Sequence, residues 1–305
     1  MDLKKRHIEL CKSEKEFDLD EFDKRQVIRI NTLKASEEDV VKRLKSKNVN
    51  LQKVNGLNHA YYADSEFSLS SMSEYLFGYF YIQEIASQFA AIVLNPNPSD
   101  FVLDMCASPG SKTTQIAQMM ENKGSIIALD VGIRINKLKY NIERMGVENT
   151  IVIKSDARFF EAKLKGISKN IDQNKLLFDK ILLDAPCSGN YVIEKDWFKK
   201  RTMEDVKGCS LDQRELLRNG IKNLKDEGIL VYSTCSLEPE ENEFVIDWAI
   251  NKFGLKCLDT GLKIGENGLT QVSGKVLDNS ISKCKRFWPS KTGTQGFFVA
   301  KLQRS

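Results

Sequence analysis

Two short segments carry the residues best able to do covalent chemistry. Residues 181–189 read ILLDAPCSG and residues 230–236 read LVYSTCS, each setting a cysteine just past an apolar, β-branched run that reads as a buried strand. Open α/β sheets place ligands at strand ends, so Cys187 and Cys235 are candidates for one site. A thiolate is well suited to add to an electron-poor ring and to leave again. Asp184 lies at the same strand end as Cys187. Its carboxyl, protonated or sharing a proton, can hydrogen-bond a ring nitrogen and draw electrons from the carbon under attack. A lone cysteine more often reads as a small buried hydrophobe, which suits the thiols of Cys106, Cys209 and Cys257.

A second motif, DMCASPGSK (104–112), follows a strand and opens a helix. Pro109-Gly110 allows a sharp turn, and Gly110 lets backbone approach a ligand. The helix start offers unpaired N–H groups. Asp130 stands twenty residues past Gly110 at the end of the next strand, where an acid can accept from both hydroxyls of a ribose. Asp156 and Asp184 end the third and fourth strands, so with Asp104 four acids share one rim. GxGxxG is absent, and GSKT at 110–113 lacks the preceding glycine of a phosphate loop. The rim therefore suits a cationic nucleoside, S-adenosyl-L-methionine, better than a dinucleotide.

These motifs sit in a β-α-β rhythm. FVLD (101–104), SIIALD (125–130), TIVIKSD (150–156), FDKILLD (178–184) and GILVYST (228–234) read as strands, and SKTTQIAQMM and INKLKYNIERM as helices between them. The pattern predicts a mostly parallel sheet covered on both faces, a Rossmann-like α/β domain over residues 76–305. TQGFFVAKL (294–302) reads as a last strand, and 161–176 as a polar surface insertion. Ahead of it QVIRINTL (26–33), SEEDVVKRLKSKN (36–48) and VNLQKV (49–54) read as strand, helix and strand of a small α+β unit, residues 1–75. A helix is expected from about Phe80 to Leu94.

The 305-residue chain suits two domains, and its charge is uneven. Residues 24–53 hold nine Lys and Arg against three acids, the footprint of a polyanion binder. EKDWFKKR (194–201) and KCKRFW (283–288) interleave aromatics with cations, as surfaces do that stack on unpaired bases. Solvated charged faces and buried aromatics are the competing readings. The seven cysteines include no CxxC pair, so neither a disulfide framework nor a metal site is expected. No apolar run approaches the ~20 residues of a membrane span, and MDLKKRHIELCKSEKEF lacks a secretory apolar core. A cytoplasmic monomer is the expectation.

DMCASPGSKTTQIA, DAPCSG, YSTCSLEPEENE and RFWPSKTGTQGFFVAKL, with VIRINTLK before them, resemble in order and spacing the motifs of the Sun-type RNA (cytosine-5) methyltransferases. The resemblance spans roughly residues 25–303 and looks most like the short archaeal tRNA enzymes. It implies methylation of carbon 5 of cytosine through a thiol adduct at carbon 6. It implies that Cys106, Ala107, Ser108, Pro109, Gly110, Ser111 and Lys112 cradle the methionine part of the cofactor. Asp130 would hold the ribose, Asp156 the adenine amino group, and Asp184 would lie by the target base. Cys235 would be the nucleophile and Cys187 would assist release. DNA enzymes of the same chemistry attack with a Pro-Cys cysteine like Pro186-Cys187, so the residues alone leave the nucleophile open. Ser108 stands where the family usually has alanine, and Ser290, Gln295 and GNYVIEKDWFKKR also depart from its pattern. These departures bear on substrate choice, and ribosomal RNA is the alternative substrate. A non-catalytic RNA-binding or assembly factor is a further alternative, which the intact thiols, Asp184 and cofactor loop oppose. Methylation of DNA or protein is disfavoured by the basic N-terminal unit and the STC cysteine.

Overall fold

The computed structural model describes residues 3–13, 17, 25–160 and 177–304, so the expected insertion at 161–176 lies outside the described residues. The large sheet is built on five parallel strands in the order β7 (Thr150–Lys154), β6 (Ser125–Asp130), β5 (Phe101–Asp104), β8 (Phe178–Asp184), β9 (Leu224–Thr234). Beyond β9 the sheet turns antiparallel through β15 (Phe297–Gln303), which carries β10 (Lys256–Leu258) and β14 (Lys285–Phe287). Strand β11 (Glu266–Asn267) extends β14, and β12 (Gln271–Val272) pairs β13 (Lys275–Val276) in a separate ribbon.

The strands are buried on both faces, and their period of two sorts the core. Val102, Ile126, Leu182 and Val231 face one apolar layer with α4 (Ile85–Leu94), α5 (Ser111–Met119) and α6 (Ile135–Arg144). Leu103, Ile127, Ile181, Leu183 and Tyr232 face the other, against α8 (Met203–Lys222) and α9 (Glu243–Phe253). The chain winds outward from β5 to β7, then returns to β8 on the other side of β5. That reversal opens a crevice at the carboxyl ends of β5 and β8.

The small unit is an antiparallel sheet ordered β2 (Asn50–Lys53), β3 (Ala60–Asp64), β1 (Gln26–Ile30), β4 (Phe80–Ile82). Helix α2 (Glu37–Ser46) starts where Ser36 accepts from the Asp39 N–H at 3.2 Å, and it buries Val40 and Leu44. Short α3 (Ser73–Leu76) leads into β4. Residue 75 therefore does not end this sheet, and Phe80–Ile82 is strand, not the start of a helix. Phe80 and Ile82 pair with Ile30 and Ile28, which favours the extended form for these aromatic and branched residues. The N-terminal helix α1 (Leu3–Cys11) does not join the small sheet. Leu3 and Cys11 pack with Trp197, Leu237 and Trp288, and Arg6 pairs with Glu238 and Glu240 at 2.8 and 2.7 Å.

Buried Arg29 binds the small sheet to the large one. It donates to Gln83 and to Thr114 at 2.9 Å each, and to Gln118. Burial pushes it down to about 9, still charged at neutral pH. Arg144 ties the other side, donating to the Tyr75 carbonyl at 2.6 Å.

Candidate active site

Asp184 of β8 lies opposite Ser233 of β9, so the loops that follow start side by side. The Sγ atoms of Cys187 and Cys235 come within 3.0 Å. Contact with the Cys235 sulfur, then burial, pushes the Cys187 thiol well above its ordinary range, which keeps it protonated. Asn190 braces the pair, donating to the Cys235 carbonyl at 2.6 Å and the Gly296 carbonyl at 3.1 Å. Asp184 accepts from Ser233 Oγ at one oxygen and from Lys112 Nζ at the other, each at 2.7 Å. Burial pulls Lys112 down, but the Asp184 carboxylate more than offsets it and holds the ammonium above its usual value. Lys112 thus closes the 106–112 loop in sequence while its charge lies on Asp184.

The loop from Cys106 to Lys112 is pinned on several sides. Ala107 N–H donates to the Leu129 carbonyl at 2.8 Å, and Asn141 donates to the Pro109 carbonyl at 2.9 Å. Gly110 has φ +105°, a left-handed conformation that favours glycine, and a Cβ there would lie 3.2 Å from the Leu138 side chain, which would have to give by a few tenths of an ångström. Asp130 accepts from the Ser108 and Val131 N–H groups at 2.7 Å each. The Ser108 hydroxyl donates to the Arg134 carbonyl at 2.8 Å, which closes the loop over the start of α6. Ser111 begins α5.

A cavity of about 130 Å³ brings together Cys106, Asp130, Asp156, Pro186 and Leu216. Asp156 is engaged by Arg158 at 2.7 Å, which holds its carboxyl below the usual range; Arg158 also reaches Asp212 at 2.8 Å. Asp104 is 1% exposed. Its Oδ2 accepts from Thr113 at 2.7 Å, while its buried Oδ1 has no partner among the described residues. Burial pushes this carboxyl up to about 7. An orphan acid oxygen among three further strand-end acids fits a cationic nucleoside. A larger groove of about 990 Å³, between α8 and α9 beside Trp248, includes none of these residues.

Three expectations about RNA-facing residues need correction. Arg29 is spent on the interior, so the basic face of residues 25–53 consists of exposed side chains such as Lys42, Arg43 and Lys45. Trp197, in α7 (Trp197–Lys200), is fully buried, and its indole N–H donates to the Ser188 carbonyl at 2.7 Å. It wedges the Cys187 loop and offers no face to a base. In KCKRFW, Arg286, Phe287 and Trp288 are buried, with Arg286 held by Glu243 at 2.5 Å. The buried reading wins because both segments underlie the site loops.

Sequence reasoning missed Glu241. Its buried carboxylate accepts from Ser188 and Ser236, the residues that follow the two cysteines. No local pattern in EPEENE marks it, because its partner Ser188 lies 53 residues away in sequence.

A parallel sheet with a glycine-turned loop and strand-end acids around its switch point is the architecture of the S-adenosylmethionine-dependent methyltransferases. Residues 91–303 match the family model described as 16S rRNA methyltransferase RsmB/F, and residues 6–85 match that of the N-terminal domain of 16S rRNA methyltransferase RsmF. The chain belongs to the RsmB/F family. It is 41% identical over 238 residues to the tRNA (cytosine(72)-C(5))-methyltransferase of Pyrococcus horikoshii, covering 78% of this chain and 55% of that one. It is 35% identical over 287 residues to the tRNA (cytosine(49)-C(5))-methyltransferase of Pyrococcus abyssi, covering 92% and 88%. With the 28S rRNA (cytosine-C(5))-methyltransferase of Mus musculus it shares 35% over 286 residues, 91% of this chain but 35% of that protein. The chain thus spans about a third to a half of the length of several curated relatives. A solved methyltransferase homolog from Pyrococcus horikoshii superposes with a TM-score of 0.81 at 41% identity, covering 92% of this chain and 87% of that one. NSun6 from Pyrococcus horikoshii, solved with SFG, gives 0.84 at 28% identity, covering 100% and 98%. Among the described residues no helix is long and apolar enough to cross a membrane, and no group of three or more His, Cys, Asp or Glu is arranged to hold a metal.

Proposed function

We propose that this chain transfers a methyl group from S-adenosylmethionine to carbon 5 of a cytosine in RNA, with tRNA as the substrate. The observation that carries the reading is the thiol pair, 3.0 Å apart, beside the Asp184–Lys112 pair. The loop Cys106–Lys112 would hold the methionine part of the cofactor, Asp130 the ribose hydroxyls and Asp156 the adenine amino group. Asp104, with its unpaired oxygen, and Asp184 would face the positive charge. The bound cofactor supplies an electrophilic methyl group there.

Carbon 5 of cytosine is a weak nucleophile until a thiolate adds at carbon 6. Cys235 makes that bond, and the ring electrons move to carbon 5. Asp184 accepts from the amino group of the base, while the Lys112 ammonium beside it supplies a proton donor to the adjacent ring atoms. Once carbon 5 carries the methyl group, its proton passes to water, the C5–H electrons restore the C5–C6 double bond, and the bond to Cys235 breaks. Cys187, kept as a thiol, lies within reach of the departing sulfur and can donate a hydrogen bond to the thiolate as it leaves. The base must leave its stack, at a cost of a few kcal/mol unless it is already unpaired. Exposed Lys42, Arg43 and Lys45 on α2 would meet phosphates. Free thiols at the site suit the reducing cytoplasm.

The tRNA reading leans on the Pyrococcus abyssi tRNA enzyme, of which the chain spans 88%; coverage of the other relatives does not separate the substrates, at 55% of the Pyrococcus horikoshii tRNA enzyme and 57% of the Vibrio parahaemolyticus ribosomal RNA enzyme. The test is tritiated methyl transfer to unmodified tRNA and to ribosomal RNA fragments, with nucleosides then separated. Labelled 5-methylcytidine from tRNA is expected. Label in another nucleoside, or none, contradicts the reading.

A further inference from the structure

We propose that Glu241 is the positioning residue that sets the two thiols against each other, a role that rests on the reading of Cys187 and Cys235 as a working pair. Glu241 is fully buried, and its carboxylate is bonded to both cysteine loops. One oxygen accepts from the Ser236 hydroxyl at 2.7 Å and from the Ser188 hydroxyl. The other accepts from the Ser188 N–H at 3.0 Å and from the Gln213 amide at 2.8 Å. Ser188 follows Cys187 and Ser236 follows Cys235, so one residue fixes the chain immediately after each thiol. Gln213, at the middle of α8, also donates to the Pro186 carbonyl at 2.9 Å, and this ties the clamp to the residue before Cys187. The Tyr232 hydroxyl, on β9, donates to the Glu241 carbonyl at 2.5 Å and fixes the clamp from below.

Four donors converge on two oxygens, which is the full acceptor capacity of an ionised carboxylate. A glutamine matches it only in part: its oxygen can still accept from the Ser188 N–H and the Gln213 amide, but its NH2 then faces the Ser188 and Ser236 hydroxyls, which must turn from donors to acceptors, and the negative charge that held all four donors is lost. Such a carboxylate is costly to bury, and burial does push its carboxyl upward. No atom of Glu241 is exposed to a substrate. Its influence on the reaction must pass through Ser188 and Ser236. The Asn190 bond to the Cys235 carbonyl is a second tie between the loops, so the loops remain attached when the clamp is removed.

The test compares Glu241→Gln with the wild-type chain in two assays. Closure of the thiol pair is read by adding one equivalent of an aromatic disulfide: one thiolate displaces the first aryl thiol, the second displaces the other, and a Cys187–Cys235 disulfide is left. Peptide mass mapping identifies that pair among the other cysteines. Methyl transfer gives kcat and KM, calorimetry gives affinity for S-adenosylhomocysteine, and thermal melting reports the fold. In Glu241→Gln, closure should slow about tenfold and kcat fall about 100-fold, with KM for RNA and cofactor affinity within about twofold, as for a displaced reacting group. Unchanged closure and kcat in a folded variant overturn the proposal. So does a loss of cofactor affinity equal to the loss in kcat, which marks a general structural role. If Glu241→Gln does not fold, Ser188→Ala and Ser236→Ala each remove one arm; slower closure in both supports the clamp, and wild-type rates in both overturn it. Slower closure in a chain whose wild type transfers no methyl group would refute the functional reading and uphold the clamp.

Discussion

Asp104→Asn should make the free protein more stable at alkaline pH while weakening its hold on S-adenosylmethionine. Burial, opposed by the Thr113 hydrogen bond and reinforced by Asp184, pushes the Asp104 carboxyl up to about 7. An unfolded aspartate titrates near 3.9. Between about pH 4 and 7 the folded state therefore holds the proton that the unfolded state has released. Stability falls as pH rises through that window, by about 1.4 kcal/mol per unit and so about 4 kcal/mol in all. Asparagine imitates the neutral acid: its oxygen can accept from Thr113, and its amide takes the place of the unpaired Oδ1. An unpaired buried amide costs about 1–3 kcal/mol, so the net gain at pH 8 is about 1–3 kcal/mol. That raises the melting temperature by about 2–4 °C for each kcal/mol. The assay is urea unfolding of both proteins at pH 5, 6.5 and 8, with calorimetry of cofactor binding at pH 8. The gap between the two proteins should open with rising pH and affinity should fall with the lost negative charge. A gap independent of pH, or a variant less stable than the wild type at pH 8, refutes the reasoning about burial. Undiminished cofactor affinity refutes the part given to the orphan oxygen.

The remaining predictions concern cofactor, RNA and core. Asp130→Ala removes the acceptor of the Ser108 and Val131 N–H groups and, in the proposed reading, of the ribose hydroxyls; cofactor affinity should drop by about 1.5–3 kcal/mol, and an unchanged calorimetric constant would sink the assignment. Replacing Lys42, Arg43 and Lys45 together by glutamine should weaken tRNA binding and flatten its log–log salt dependence by up to about 0.9 per lost contact, with cofactor affinity intact. An unchanged slope would mark α2 as a solvated face. Trp197→Ala should cost about 3–5 kcal/mol in urea unfolding, because it empties a buried site and strips the Ser188 carbonyl of a donor; a cost under about 1 kcal/mol would contradict the wedge role.

The strands that carry the site were legible because fully buried strands leave unbroken apolar runs. FVLD, SIIALD and FDKILLD match β5, β6 and β8 end to end. Ser36, at the head of SEEDVVKRLKSKN, is a cap that sequence can show, because its bond to Asp39 is local. What escaped depends on contacts distant in sequence. Strand β4 read as helix, since only its pairing with β1 holds Phe80–Ile82 extended. Helix α8 went unread: its buried face includes Ser210, Gln213 and Gly220, so little apolar rhythm shows, although Thr202 and Asp205 form a capping box. Trp197, Trp288 and Arg29 have the composition of an RNA surface, yet tertiary packing draws all three inside. Glu241 bonds Ser188 across 53 residues, a separation that no local pattern reports.

The central claim is that Cys235 bonds the base while Cys187 lets it go, and a denaturing gel tests it directly. Cys187→Ala, Cys235→Ser and the wild type would each be incubated with end-labelled tRNA and S-adenosylmethionine. Cys187→Ala should accumulate a protein–RNA species that survives denaturation, because addition proceeds and release stalls. Cys235→Ser should give neither that species nor 5-methylcytidine. A trapped species in Cys235→Ser with none in Cys187→Ala would contradict the assignment and give the attack to the cysteine that follows Pro186.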